Sequence, residues 1–145
     1  MSEIRHAHCL CGGVRFKTRL KDNALQACHC EQCQRWTGGG PLWTVRTDGV
    51  PEVNGTELIR SYFASDHGER AFCSACGTTL YWKMKDGEIA FLPVGLFEDQ
   101  NGFEVREEIF VDRRPGWMPA WAGATQQDEA EMQAALKAYL EGDAR

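Results

Sequence analysis

The sequence predicts a mainly β chain, one domain spanning residues 1–145 with a short C-terminal helix, and three observations carry that expectation. Segments rich in aromatic and β-branched residues recur at short intervals between turn signals. Helical periodicity is confined to the last stretch of the chain. At 145 residues, with 43% hydrophobic and 26% charged residues, the chain has the length and balance of one ordinary globular domain. No repeat or Pro/Ser/Gly-rich linker divides it.

Taken in order, the predicted strands are VRF at 14–16, LWTVR from Leu42, LIRSYF from Leu58, TLYWK from Thr79 and IAFLPV from Ile89. Turn signals separate them: DGVP from Asp48, NGT from Asn54, SDHGE from Ser65 and KDGE from Lys85. The last reads as a tight hairpin, because Asp-Gly readily takes positive φ. Helix is expected only at the end. There Thr125 reads as the cap, Asp128 stands three residues on, and Met132, Leu136, Tyr139 and Leu140 share one face before Gly142, as in a lid packed on a sheet.

A net charge of −5 and a pI near 5.4 supply no positive field for a phosphate backbone, which argues against a nucleic-acid partner. No apolar run approaches the roughly 18 residues of a membrane span, and the start MSEIRHAHCL lacks the basic and apolar regions of a signal peptide. The expectation is a cytoplasmic protein. In a reducing compartment, seven cysteines point to metal ligation or thiol chemistry rather than disulfides, and their odd number agrees.

Every cysteine belongs to a chelating pattern: C-x-C (Cys9, Cys11), C-x-C-x-x-C (Cys28, Cys30, Cys33) and C-x-x-C (Cys73, Cys76). In C-x-x-C a tight turn brings both sulfurs to one side, and Gly77 after Cys76 suits such a turn. In C-x-C the sulfurs share one face of an extended segment. Zinc prefers four ligands, so seven thiols divide into four and three: a closed site and an open one. Spacing permits two divisions. In the first, Cys9, Cys11, Cys73 and Cys76 close one site and Cys28, Cys30 and Cys33 hold a second metal. In the rival, Cys30, Cys33, Cys73 and Cys76 form a zinc ribbon, which breaks up the compact trio and strands Cys28. The first is preferred on that ground.

The stretches CLCGGVRF, CHCEQCQRWTGG and FCSACGTTLYW resemble, in this order, the successive signatures of the glutathione-dependent formaldehyde-activating (Gfa-type) enzyme family. The resemblance runs from Cys9 to Trp82 and includes all seven cysteines. It implies an Mss4-like fold of zinc-stabilised β-sheets and two zinc ions per chain. Cys9, Cys11, Cys73 and Cys76 are then ligands of a structural zinc, and Cys28, Cys30 and Cys33 of a catalytic one. From about residue 95 the resemblance weakens, and DRRPGWMPAWAG departs from the family pattern.

A zinc with three thiolates is a poor activator of water but a good holder of a further sulfur, since a free thiol is mostly protonated at neutral pH and a metal-bound one is not. The expected partner is glutathione or a related small thiol adduct. The expected activity is that of a carbon–sulfur lyase forming or cleaving S-hydroxymethylglutathione. Arg35 suits a carboxylate of such a ligand. His29 and His8 are read as surface or hydrogen-bonding residues rather than ligands, and His6 and His67 as solvated. Trp117 and Trp121, beside Arg113 and Arg114, are read as covering the core. Gly38, Gly39 and Gly40 are read as allowing close backbone approach to a metal or ligand. Two rival readings stand beside the enzyme: a zinc-stabilised interaction module without turnover, and a redox protein using C-x-x-C exchange. The sequence assigns no oligomeric state.

Overall fold

The computed structural model describes residues 3–142, so both ends of the expected 1–145 span lie outside it. The chain is mainly β, with strands β1 (Arg5–His8), β2 (Arg15–Thr18), β3 (Ala24–Cys28), β4 (Leu42–Arg46), β5 (Glu52–Asn54), β6 (Ile59–Tyr62), β7 (Gly68–Cys73), β8 (Thr79–Met84), β9 (Ala90–Pro93), β10 (Glu104–Ile109) and β11 (Thr125–Gln127). Helix α1 (Glu31–Thr37) follows β3, and α2 (Glu129–Leu140) follows β11. None of the described helices is long and apolar enough to cross a membrane. The backbone forms two compact units, one of the residues up to Leu25 with Trp43–Glu104, the other of Gln26–Leu42 with the residues from Val105 on.

The first unit holds a three-stranded antiparallel sheet in the order β1-β2-β5 and a run of antiparallel strands in the order β4-β9-β8-β7-β6. Alternation decides which side chains go inside: in β2, Phe16 and Thr18 are buried while Arg15 and Lys17 are exposed. Phe16 meets Tyr81 edge to face at 6.2 Å, within a core that includes Val14, Val45, Leu80 and Leu92. Burying one such side chain contributes about 1.5–3 kcal/mol. The sulfurs of Cys9 and Cys73 lie in the same cluster and are fully buried, so the core and one cysteine group are built together.

In the second unit the strand order is β11-β10-β3, with β10 and β11 parallel and Glu108 paired with Gln126. Helix α2 starts at a capping box: the Asp128 side chain accepts the Glu131 amide and the Glu131 side chain accepts the Asp128 amide. It ends before Gly142 at φ 89°. Met132, Leu136 and Tyr139 are half-buried, while Leu140 is half exposed.

All five predicted strands are present, each within two residues of its expected place. Helix is not confined to the end, however. Glu31–Thr37 is helical, and with seven residues and one buried side chain, Cys33, it is too short to show periodicity. The cap of the last helix is Asp128 rather than Thr125, because Thr125 opens β11. At the KDGE turn Asp86 takes the positive φ, 62°, whereas Gly87 does not.

Two glycines separate conformational cost from steric cost. Gly49 and Gly55 both adopt left-handed conformations, with φ of 82° and 86°. A Cβ on Gly49 would meet nothing within 4 Å, whereas one on Gly55 would collide with the Gly13 carbonyl. Gly49→Ala is expected to cost about 1–2 kcal/mol, and Gly55→Ala clearly more, in denaturant unfolding of the two variants. Equal losses would mean that the backbone at Gly13 yields freely.

Candidate metal centres

The loop between β1 and β2 folds back at once: the Gly12 amide donates to the Cys9 carbonyl at 3.0 Å and the Cys9 amide to the Val14 carbonyl at 3.1 Å. Cys9 and Cys11 therefore lie on a turn, not on the extended segment expected of C-x-C, and the turn brings their sulfurs to 3.6 Å. At the end of β7, Cys73 and Cys76 lie on the expected tight turn. It is closed by the Gly77 amide donating to the Cys73 carbonyl at 2.7 Å, with Gly77 at φ 80°. Cys11 and Cys73, 62 positions apart, place their sulfurs 3.9 Å from one another.

All four sulfurs of this group lie within 4.8 Å of one another. A tetrahedral zinc with Zn–S bonds of about 2.3 Å sets its sulfurs about 3.8 Å apart, so the group fits such an ion. Backbone amides already face the sulfurs, Val14 donating to Cys9 at 3.3 Å and Gly13 to Cys11 at 3.4 Å. The acidities are unequal. The Thr78 hydroxyl, 3.1 Å from the Cys76 sulfur, and the Thr78 and Cys11 amides pull the Cys76 thiol down to about 5. The Gly13 amide favours the Cys11 thiolate, yet Cys9 and Cys76 beside it push that thiol up to about 11. Cys9 and Cys76 are thus the readier thiolates and Cys11 the reluctant one, and a cation held among the four sulfurs would favour the ionised form of each.

The second group is local to the second unit. Cys28 ends β3, Cys30 caps α1 in an extended conformation, and Cys33 sits in its first turn with its amide donating to the Cys30 sulfur at 3.3 Å. Their three sulfurs also lie within 4.8 Å of one another. No fourth His, Cys, Asp or Glu atom among the described residues joins them. Cys33 is buried and the other two are half-buried. Contact with Cys30 and Cys33, then burial, raises the Cys28 thiol well above its ordinary range, so the trio also needs a cation before all three can ionise. The rival grouping of Cys30 and Cys33 with Cys73 and Cys76 is not among the clusters formed by the described residues.

His29, between two cysteines of the trio, is not a surface residue. It is fully buried, and its Nε2 lies 2.8 Å from Oε1 of Glu108, itself 2% exposed. The other carboxylate oxygen accepts the Trp121 amide at 2.8 Å, the Gln126 side-chain amide at 2.8 Å and the Arg114 guanidinium at 3.2 Å. Burial alone would raise the Glu108 carboxyl, but the bonds from Gln126, Trp121 and His29 and the charge of Arg114 hold it below the ordinary range. Its contribution to stability is therefore complete at neutral pH and lost only in acid. Nothing local in the sequence signals this network, whose members come from the junction of β3 and α1, from β10 and β11, and from the segment after β10.

The remaining candidates are more peripheral. Arg35 is exposed in the last turn of α1, with no ion pair among the described residues. Arg113 is engaged elsewhere, 3.1 Å from Glu129 and 3.7 Å from Glu31. His8 places Nδ1 2.7 Å from the Cys9 carbonyl and is partly exposed, and His6 is exposed. Trp117 and Trp121 do not cover the core: they are 74% and 53% exposed. Gly38, Gly39 and Gly40 all have positive φ, and Gly38 is the left-handed C-cap of α1. Backbone geometry explains them, since a Cβ on Gly38 or Gly39 would meet nothing within 4 Å.

Comparison with known proteins gives this geometry a context. A Schizosaccharomyces pombe protein described as an uncharacterized lyase is 30% identical over 109 residues, covering 74% of this chain and 79% of that protein. A Halomonas elongata protein that carries the name of a glutathione-dependent formaldehyde-activating enzyme is 32% identical over 82 residues, 50% of this chain and 52% of its own length. A crystal structure of a Rhodobacter sphaeroides protein superposes with a TM-score of 0.57 at 22% identity, over 69% of this chain and 96% of that one, a likeness of fold. The profile of one family, described as glutathione-dependent formaldehyde-activating enzyme, matches residues 4–113, a span that contains all seven cysteines. The chain belongs to the glutathione-dependent formaldehyde-activating enzyme family.

Proposed function

We propose that this chain is a cytoplasmic carbon–sulfur lyase acting on a glutathione adduct, with S-hydroxymethylglutathione, formed from glutathione and formaldehyde, as the representative case. Cys9, Cys11, Cys73 and Cys76 are its structural zinc ligands, and Cys28, Cys30 and Cys33 hold a second, catalytic zinc. One observation carries the reading: three sulfurs lie within 4.8 Å of one another, and no His, Cys, Asp or Glu atom of the other described residues joins them. A zinc ion in such a site supplies one position for an anionic sulfur and lowers the pKa of a thiol that takes it.

The reaction itself is an addition. The thiol sulfur bonds to the aldehyde carbon, the carbon–oxygen π bond breaks, and the oxygen receives the proton that the thiol gives up. No electron is gained or lost overall, and the reverse is the lyase direction. What the chain contributes is position. Helix α1 fixes the spacing of Cys30 and Cys33, and the Cys33 amide stabilises negative charge on the Cys30 sulfur. Arg35, on the same helix, offers a planar cation to a carboxylate of the peptide part of the ligand. The exposed Trp117 and Trp121 favour a second reading, an interaction module of the same fold without turnover.

Metal content and stability test the two roles together. Protein prepared without chelator is expected to hold two zinc ions per chain, the one at the trio being lost first. Cys76→Ser removes a tie between distant segments and should cost several kcal/mol or prevent soluble expression, whereas Cys33→Ser, within a short stretch, should lower the melting temperature far less. Equal losses in the two variants would contradict the division of roles.

Acid should work against the trio in a definite direction. Because the metal-free Cys28 thiol is raised above its ordinary range, it is protonated at neutral pH and metal uptake must expel protons. Calorimetry in buffers of different ionisation enthalpy should record proton release at the trio, with affinity falling as pH is lowered. Proton-neutral uptake would rule out thiolate ligation there.

Glutathione should bind cobalt-substituted protein with a change in the visible spectrum of the trio metal, while S-methylglutathione, unable to become an anionic ligand, should bind far more weakly. Equal competition by the two compounds would exclude sulfur capture. A spectral response with formaldehyde consumption at the spontaneous rate would leave thiol binding in place and favour the module.

A further inference from the structure

The buried pair His29 and Glu108 does more than fill space. A buried carboxylate is costly, and buried ion pairs are weak stabilisers compared with apolar packing. Glu108 nevertheless sits 2% exposed with four donors gathered on its two oxygens. Among the described residues one oxygen serves His29 alone. Since a carboxylate only accepts, the hydrogen of that bond is assigned to His29 Nε2, and Nδ1 is buried with no hydrogen-bond partner among the described residues.

His29 is also fixed along its backbone. Its amide donates to the Ile109 carbonyl at 3.0 Å, and its carbonyl accepts the Gln34 side chain at 2.7 Å, a side chain that also donates to the Arg113 carbonyl at 2.9 Å. The ring, the amide and the carbonyl are thus all held. His29 stands between Cys28, the last residue of β3, and Cys30, the extended N-cap of α1, so fixing its ring, amide and carbonyl also restrains the backbone that carries these two cysteines.

Three of the four donors to Glu108, namely Arg114, Trp121 and Gln126, come after the residues matched to the family. Arg114 and Gln126 also contact one another directly. The Trp121 amide is separated from His29 Nε2 only by the width of one carboxylate, and the Trp121 side chain is more than half exposed.

We infer that Glu108 is a positioning residue for the three-cysteine centre: it holds His29, and with it the flanking Cys28 and Cys30, against the segment 114–126 that carries Trp117 and Trp121. The inference rests on the reading that Cys28, Cys30 and Cys33 hold a metal. Groups that orient metal ligands through a hydrogen-bonded neighbour typically change metal affinity about 10- to 100-fold when removed.

The test uses the full chain loaded with cobalt, with Cys33→Ser supplying the spectrum of the closed site alone. Glu108→Gln is expected to release the trio metal to a chelator roughly 100-fold faster and to shift its thiolate-to-cobalt band, while the closed-site metal is released at its usual rate. Gln126→Ala keeps the carboxylate and should accelerate release about 10-fold, so the inference can be tested even if the first variant does not fold. Unchanged release and an unchanged band in a chain that does carry the trio metal would overturn it. So would parallel loss of both metals with a lowered melting temperature, which would make Glu108 a general stabiliser. Wild-type chain with metal in the closed site only would instead refute the metal reading on which the inference stands, and the two failures are distinguished by what the wild type holds.

Discussion

Sulfur atoms crowded within one ion's width constrain much of this structure. Cys9 and Cys11 on one turn meet Cys73 and Cys76 on another, and two of the four are fully buried in the same cluster as Phe16 and Leu80. As thiols they pack like small apolar groups at little cost. As thiolates they repel, which the raised Cys11 thiol expresses, while the Thr78 hydroxyl and amide hold the Cys76 thiol down. The turns that carry them are correspondingly specified, by amides directed at sulfur and by a left-handed glycine after Cys76. Neither turn could drift without opening a gap in the core.

The two units are held by different physics. In the first, a continuous apolar cluster includes residues from both sheets. In the second, the buried apolar residues are few, Ala27, Cys33, Leu42 and Ile109, and beside them stand His29 and Glu108. Directional bonds do there what packing does in the first unit. Hydrogen bonds fix angle as well as distance, which suits a place where three side chains must converge on a point; close-packed hydrocarbon fixes volume and tolerates rotation.

Legibility in the sequence followed the same division. The five segments rich in aromatic and β-branched residues were readable as strands because turn signals bound them, and alternation of burial is clear in β2 and β9. The cysteine groups were readable because chelation demands short spacings. β10 carries EVREEI, whose charges conceal a strand with Glu108 inside. α1 is capped by Cys30, which belongs to no usual capping set, and ends after seven residues. His29 was read as a surface or hydrogen-bonding residue; it hydrogen-bonds, but its burial was not legible, because the partner that makes burial tolerable lies 79 positions away. Trp117 and Trp121 were read as covering the core, while the fold leaves both more than half exposed. Local pattern reports what neighbours along the chain require of one another; it is silent about a carboxylate delivered from a distant strand.

The unequal span of the two cysteine groups bears on how the chain is made. Five of the seven cysteines precede Leu42, whereas Cys73 and Cys76 lie well beyond it. A chain growing from its N-terminus therefore exposes Cys9, Cys11 and the complete trio before either closing partner exists. A metal ion that met this partial chain would find enough soft ligands for a set of four, a combination that is not among the clusters formed by the described residues. With Cys9, Cys11, Cys73 and Cys76 as the proposed closed set, an ion captured early would have to exchange ligands to reach it, because two of the four thiols are made last.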